Sequence, residues 1–273
     1  MLRLPAVAGQ FYPADPRELT HLIRKFTAPE PGASKASVSG CLVPHAGYIY
    51  SGGIAGAVFS RIIFPRRVLV LGVRHSPMGE NLAILSEGAW RTPLGDVPVD
   101  ELLAQTVRTA CPGLREDSVA HSREHSLEVE LPFLQVLDPG FSFVPVAVGT
   151  LRFDDLQALG IGLARVLKES REEILMLASS DMNHYEPDEI TRFKDTKAIE
   201  RMKDVDASGL YEVCRKEKIS MCGLGPAVAM LTAMKELGVK VGEVVAYATS
   251  GDVNGDRNSV VGYAGMTFAK PGA

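Results

Sequence analysis

The chain has 273 residues, 46% of them hydrophobic, with a net charge of −4 and a pI near 5.9. This is the composition of a soluble globular protein, and without a Lys/Arg-rich stripe it argues against nucleic acid as a partner. No apolar run is long enough to span a membrane, and Met1–Gln10 lacks the apolar core and cleavage site of an export signal, so a cytoplasmic location is expected.

In chain order, residues 5–16 read as an irregular lead-in, followed by a helix over 16–27 with Leu19, Leu22, Ile23 and Phe26 on one face. A loop over 28–37 precedes a strand at 38–43, a Gly-rich turn, a helix at 52–63 and a strand at 67–73. Residues 82–86 form a strand, and Asp100 caps a helix over 101–110. A helix over 126–137, irregular at Pro132, leads to a strand at 141–148, a helix at 154–168 and a strand at 173–179. Helices at 188–203, 206–217 and 224–237 precede two late strands, 242–249 and 259–268. Strands alternating with helices predict one α/β domain over 1–273, a three-layer sandwich whose central sheet is mostly parallel or mixed. Strands this apolar suit a sheet covered on both faces.

Several histidines sit just past the ends of these apolar runs. His45 follows Cys41-Leu42-Val43-Pro44, His75 follows the run Val68–Val73, and His184 follows the run Ile174–Ala178 through Ser179-Ser180-Asp181. His125 stands ahead of a helical pattern. In open α/β sheets ligands bind beyond the carboxyl ends of the strands, and imidazole is the commonest biological metal ligand. A metal site, or one descended from it, follows. The spacing Asp181-x-x-His184 lets a carboxylate orient an imidazole as a general base requires, although Asp181 as a helix cap is the simpler alternative. Cys222, in Met221-Cys222-Gly223, precedes a helix whose N-terminus would favour thiolate, a soft metal ligand or a nucleophile. The other cysteines, Cys41, Cys111 and Cys214, show no CxxC spacing and are expected as free thiols of a reducing compartment.

Other signals are weaker. His121-Ser122-Arg123-Glu124-His125 matches the inverted zincin pattern H-x-x-E-H, but the surroundings look like a helix entry. His125 and Glu128 suggest a supporting pair. Tyr12, Tyr48 and Tyr50 could line a pocket beside His45, and Ser51-Gly52-Gly53 could open a helix that cradles an anion. The segment Ser250–Asp256 lacks the EF-hand register and reads as a strand-end loop in which Asp252 borders the pocket.

Taken together, Gly9-Gln10-Phe11-Tyr12, Pro44-His45-Ala46-Gly47-Tyr48, Leu71-Gly72-Val73-Arg74-His75, Arg91–Asp96, Glu124–Glu128, Ser179–His184 and Cys222-Gly223 resemble the Memo family, in that order and over essentially the whole chain. The family's fold resembles the class III extradiol dioxygenases, which use non-haem Fe(II). The resemblance implies His45 and His75 as metal ligands, Cys222 where those enzymes carry a carboxylate, and His184 as the acid–base histidine beside Asp181. Tyr48, Tyr50, His125, Glu128 and Asp252 would surround them. Ser76, where some relatives have a second histidine, and the bulky Arg74 would alter what enters the pocket.

A thiolate donor favours Fe(II), Zn or Cu over Mg or Ca, and the resemblance puts Fe(II) first. The resemblance therefore implies a metal-dependent oxidoreductase acting on a small-molecule or peptide ligand, linked to radical SAM and AMMECR-type proteins. The competing expectations are a non-catalytic binding or metal-handling protein that kept the pocket, and a zinc hydrolase. Fold alone does not choose among them.

Overall fold

The structure is a computed structural model and describes residues 1–28 and 34–271. It begins with β1 (Leu2–Arg3), α1 (Pro16–Phe26), β2 (Val38–Val43), α2 (Tyr48–Phe59), β3 (Arg67–Val73) and β4 (Leu82–Ile84). A hairpin, β5 (Ala89–Thr92) and β6 (Gly95–Pro98), leads to α3 (Glu101–Ala110), β7 (Arg115–Glu116) and α4 (Val119–Ser122). A 3-10 turn over Glu128–Glu130 opens into α5 (Leu131–Leu137), then β8 (Ser142–Val148), α6 (Phe153–Glu169), β9 (Ile174–Ser179) and β10 (His184–Glu186). The chain closes with α7 (Asp188–Lys203), α8 (Ala207–Lys216), α9 (Leu224–Leu237), β11 (Gly242–Thr249), α10 (Gly251–Asn254) and β12 (Val260–Ala269).

The main sheet runs in the order β10-β12-β2-β9-β3-β8-β4-β7, with β11 also on β12. Strands β2, β9, β3 and β8 are parallel to their neighbours, whereas β12 joins β2, and β4 joins β8, antiparallel. The sheet is therefore mixed with a parallel centre. Every residue of β2 and of β9 is buried, as strands covered on both faces require. Helix α9 packs on β2, β3 and β9 with α6 against it, and α2 packs on β2, β11 and β12. One apolar core runs through these layers from Val7 to Phe268. A second, three-stranded sheet, β1-β5-β6, ties the N-terminus to the hairpin.

Most expected elements fall where the periodicity places them, and the departures have physical causes. Helix α2 starts at Tyr48, so Ser51-Gly52-Gly53 lies inside the helix and not at its mouth, and the Ser51 N–H donates to the Gly47 carbonyl. The anion cradle is thereby lost. These glycines serve close packing: a Cβ on Gly52 would lie 2.5 Å from the Phe26 ring, and one on Gly56 2.5 Å from the Phe26 carbonyl oxygen. The helix expected over 126–137 is a 3-10 turn followed by α5, with Pro132 in the first turn, where proline's missing N–H costs nothing. The strand expected over 82–86 stops at Ile84, and β1, β5, β6, β7 and β10 are too short to give a periodic signal. The loop expected over 28–37 falls partly outside the described residues.

Replacing a helical glycine by alanine ordinarily stabilises by ~1 kcal/mol, but overpacking costs ~1–3 kcal/mol. Because the obstacle at Gly56 is backbone, the upper part of that cost applies and Gly56→Ala is expected to lower stability by a net ~1–2 kcal/mol, read from the urea midpoint. Unchanged or raised stability would show that α1 and α2 part freely.

Candidate metal centre

Three neighbouring parallel strands, β2, β9 and β3, end at the same edge of the sheet. Each delivers chemistry there. Pro44-His45 follows β2, His75 follows β3, and Ser180-Asp181 follows β9. The fourth contributor comes from the chain ahead of α9. Gly223 lies so close to the end of β9 that a Cβ would stand 2.3 Å from Ser180 Cβ, which is how Cys222 is brought against the strand ends.

His45 is almost wholly buried. Its backbone N–H donates to Asp181 Oδ1 at 2.8 Å, and its Nδ1 lies 2.8 Å from Ser179 Oγ. The Ser179 hydroxyl donates to Glu130 Oε1 at 2.9 Å, so Ser179 accepts from Nδ1–H. The lone pair of His45 is thus on Nε2, which lies 3.2 Å from Cys222 Sγ. The backbone N–H of Asp181 donates to the same sulfur at 3.2 Å. One donor atom each from His45, His75 and Cys222 falls within a 4.8 Å set, and a second such set joins Asp181, His184 and Cys222. His184 donates its Nδ1–H to the Ser220 carbonyl at 2.9 Å, and its backbone N–H to Ser220 Oγ at 2.8 Å. Its Nε2 is left as a free base.

Burial dominates the electrostatics. It pulls His45 well below the ordinary imidazole range, with help from the neighbouring His125 and His75, and it lowers His184 and His125. These rings are held neutral, as metal ligation and base catalysis both require. Burial pushes the Asp181 carboxyl up to about 7 against the His45 and Ala46 N–H donors. It also pushes the Cys222 thiol up, with Asp181 adding to the effect. The helix-terminus expectation for Cys222 therefore fails: desolvation outweighs the dipole, and a thiolate there needs a cation beside it. Two imidazoles and a sulfur converging in this way fit a thiophilic transition metal.

Other candidates are placed differently. Asp181 does not orient His184: its Oδ1 holds the His45 and Ala46 N–H groups, and Ser220 orients the ring. Tyr48 is a core residue, its ring against Phe26 and Phe133 and its hydroxyl donating to the Val129 carbonyl at 2.6 Å. Tyr50 is partly exposed. Glu128 does not pair with His125. It is fully buried and accepts from Arg3 Nη1, the Ala6 and Val7 N–H groups and the Tyr12 hydroxyl. The carboxylate near His125 is Glu124, 3.6 Å from Nδ1, and the His125 ring stacks on His75 with centroids 4.5 Å apart. Asp252 sits in α10 in an ion-pair network with Arg192 and Arg257. Arg74 reaches away to the Gly79 carbonyl and Asn81. Sequence reasoning gave no role to Ser179, Glu130, Ser220 or Glu124; Ser179 and Glu124 were visible only as members of the motifs Ser179–His184, Glu124–Glu128 and H-x-x-E-H.

That match is not a zincin site. Helix α4 ends at Ser122, and His121 is fully buried with both ring nitrogens unpaired, packed against Trp90. Burial, and then the Arg3 charge, lower its pKa to about 4 from 6.5. A histidine depressed in the folded state takes up its proton more readily when unfolded. Its contribution is fully present above pH 6.5 and is lost as pH falls toward 4. His121→Leu is expected to lose ~3 kcal/mol less stability than the parent between those pH values, read by urea denaturation at each pH. Parallel pH profiles would exclude His121 as the source.

The chain is similar to known proteins along nearly its whole length. A family model described as "Memo-like protein" matches residues 3–267. A MEMO1 family protein of Methanopyrus kandleri is 40% identical over 282 residues, covering 99% of this chain and 100% of that one. One of Aquifex aeolicus is 42% identical over 268 residues, covering 98% and 99% respectively. An uncharacterised protein of Escherichia coli K12, 12% identical, shares the fold with a TM-score of 0.55, covering 83% of this chain and 99% of that one. Among the described residues no helix is long and apolar enough to cross a membrane. With near-complete coverage at this level of identity, the chain belongs to the Memo family.

Proposed function

We propose that this protein is a metal-dependent oxidoreductase whose centre is held by His45, His75 and Cys222, with Fe(II) as the working ion. The observation that carries this reading is the 3.2 Å approach of His45 Nε2 to Cys222 Sγ, with His75 in the same cluster. When bound, the ion supplies Lewis acidity and redox chemistry. The chain's own residues do the rest. Ser179 and Glu130 hold the His45 ring with Nε2 bare. The Asp181 N–H supports negative charge on the sulfur. His184, oriented by Ser220, takes or returns a proton through Nε2 at the mouth of the site. A small phenolic molecule is the substrate class this proton handling suits.

The test is the metal content of anaerobically purified protein, beside His45→Ala, His75→Ala and Cys222→Ser. Near-stoichiometric iron in the parent and its loss from all three variants are expected. No metal after anaerobic reconstitution overturns the reading. Metal without oxygen uptake across a panel of phenols makes the protein a metal-handling one.

A further inference from the structure

We propose that Glu124 is the positioning residue of His75, fixing which ring nitrogen is bare and where the ring stands; the inference rests on the metal-centre reading above. Glu124 is 2% exposed and grips His75 at two points. Its Oε2 accepts the His75 backbone N–H at 2.7 Å, and its Oε1 lies 2.8 Å from His75 Nδ1. Oε1 also accepts the Ser126 N–H at 2.8 Å. A carboxylate engaged with three N–H groups offers no proton, so Nδ1 carries the hydrogen. Nε2 is then the nitrogen left to join His45 and Cys222. Such carboxylate–histidine pairs orient metal ligands and raise their basicity.

The clamp is built on a rigid piece of chain. Arg3 donates to the Glu124 carbonyl at 2.6 Å and to the His121 carbonyl at 2.7 Å. The Ser126 hydroxyl donates to the Val73 carbonyl at 3.0 Å, tying the segment to the end of β3 just ahead of His75. On the ring's face, His125 stacks at 22° and is itself backed by Phe11, with centroids 4.8 Å apart. The His75 ring is thus held at its edge by Glu124 and on its face by His125. A glutamine at this position has one acceptor oxygen for three donors. Either a backbone bond is lost, or its amide donates to Nδ1 and moves the ring hydrogen to Nε2, which then cannot ligate.

The experiment measures Co(II) affinity by chelator competition in four proteins: parent, Glu124→Gln, His75→Ala and the double variant. Thermal unfolding of the metal-free forms runs beside it. Glu124→Gln is expected to weaken Co(II) binding ~10–100-fold. In the His75→Ala background the same change should cost less than about threefold, because the coupled partner is gone. Undiminished affinity in Glu124→Gln overturns the proposal, and so does an equal loss in both backgrounds, which would mark a structural role. Nitrogen-15 NMR of the metal-free parent gives a check that needs no variant: His75 is expected as the Nδ1–H tautomer, and an Nε2–H tautomer overturns the inference. A parent that binds no Co(II) while showing the Nδ1–H tautomer overturns the metal-centre reading and leaves the clamp intact.

Discussion

The parallel pairing of β2, β9 and β3 is the constraint on which the site depends. Adjacent strands stand ~4.8 Å apart, so side chains leaving the same edge of three consecutive strands meet within a ring's width or two. Reversing any one of them would send its chemistry to the opposite edge. The antiparallel strands are accordingly kept outside this trio, with β12 beyond β2 and β4 beyond β8. The close approach at Gly223 then adds Cys222 from a different part of the chain to what the strands already assemble.

Around this edge the protein buries more acid than its net charge suggests, and each carboxyl group holds something in place. Glu128 fastens the N-terminal segment through Arg3, two backbone N–H groups and Tyr12. Glu130 secures Ser179, which holds His45. Asp195 accepts the Asn183 N–H and the Tyr247 hydroxyl, fixing the turn that carries His184. Only Arg3–Glu128 among them is a buried ion pair, and removing one partner of such a pair costs ~3–5 kcal/mol; the others are hydrogen bonds that tie the fold to the geometry of the centre. Glu124 is held ionised, down to about 2: burial opposes this, but the hydrogen bonds from the His75 ring and from the Ser126 and His75 backbone N–H groups outweigh it.

The strands and the residues beyond them were legible because β2, β3 and β9 are continuous apolar runs, each ending in an abrupt change of chemistry. That pattern is local. The supporting residues were not legible, because their importance arises across the fold: Ser179 matters through a glutamate 49 residues away, and Ser220 through a histidine 36 residues away. Tyr48 misled for a related reason. Its neighbourhood to His45 in sequence placed it near the site, but helix geometry turned its ring into the core against Phe133. In α2 the glycines read as a turn because flexibility is their usual role, whereas here they provide clearance for Phe26.

If the proposed centre is right, the order of its three donors along the chain has a bearing on biosynthesis. His45 and Cys222 are 177 residues apart, and β12, which pairs with β2, is made last of all the strands. Chains emerge from the ribosome N-terminus first at ~5–20 residues per second. For ~7–30 seconds, by that rate, the nascent protein displays both imidazoles without the sulfur. A cation met in that interval would find only two imidazoles on an unfinished sheet. On the proposed metal centre, the soft donor arrives late, so the choice of ion would fall to the nearly complete chain, where the whole cellular pool would compete for one finished geometry.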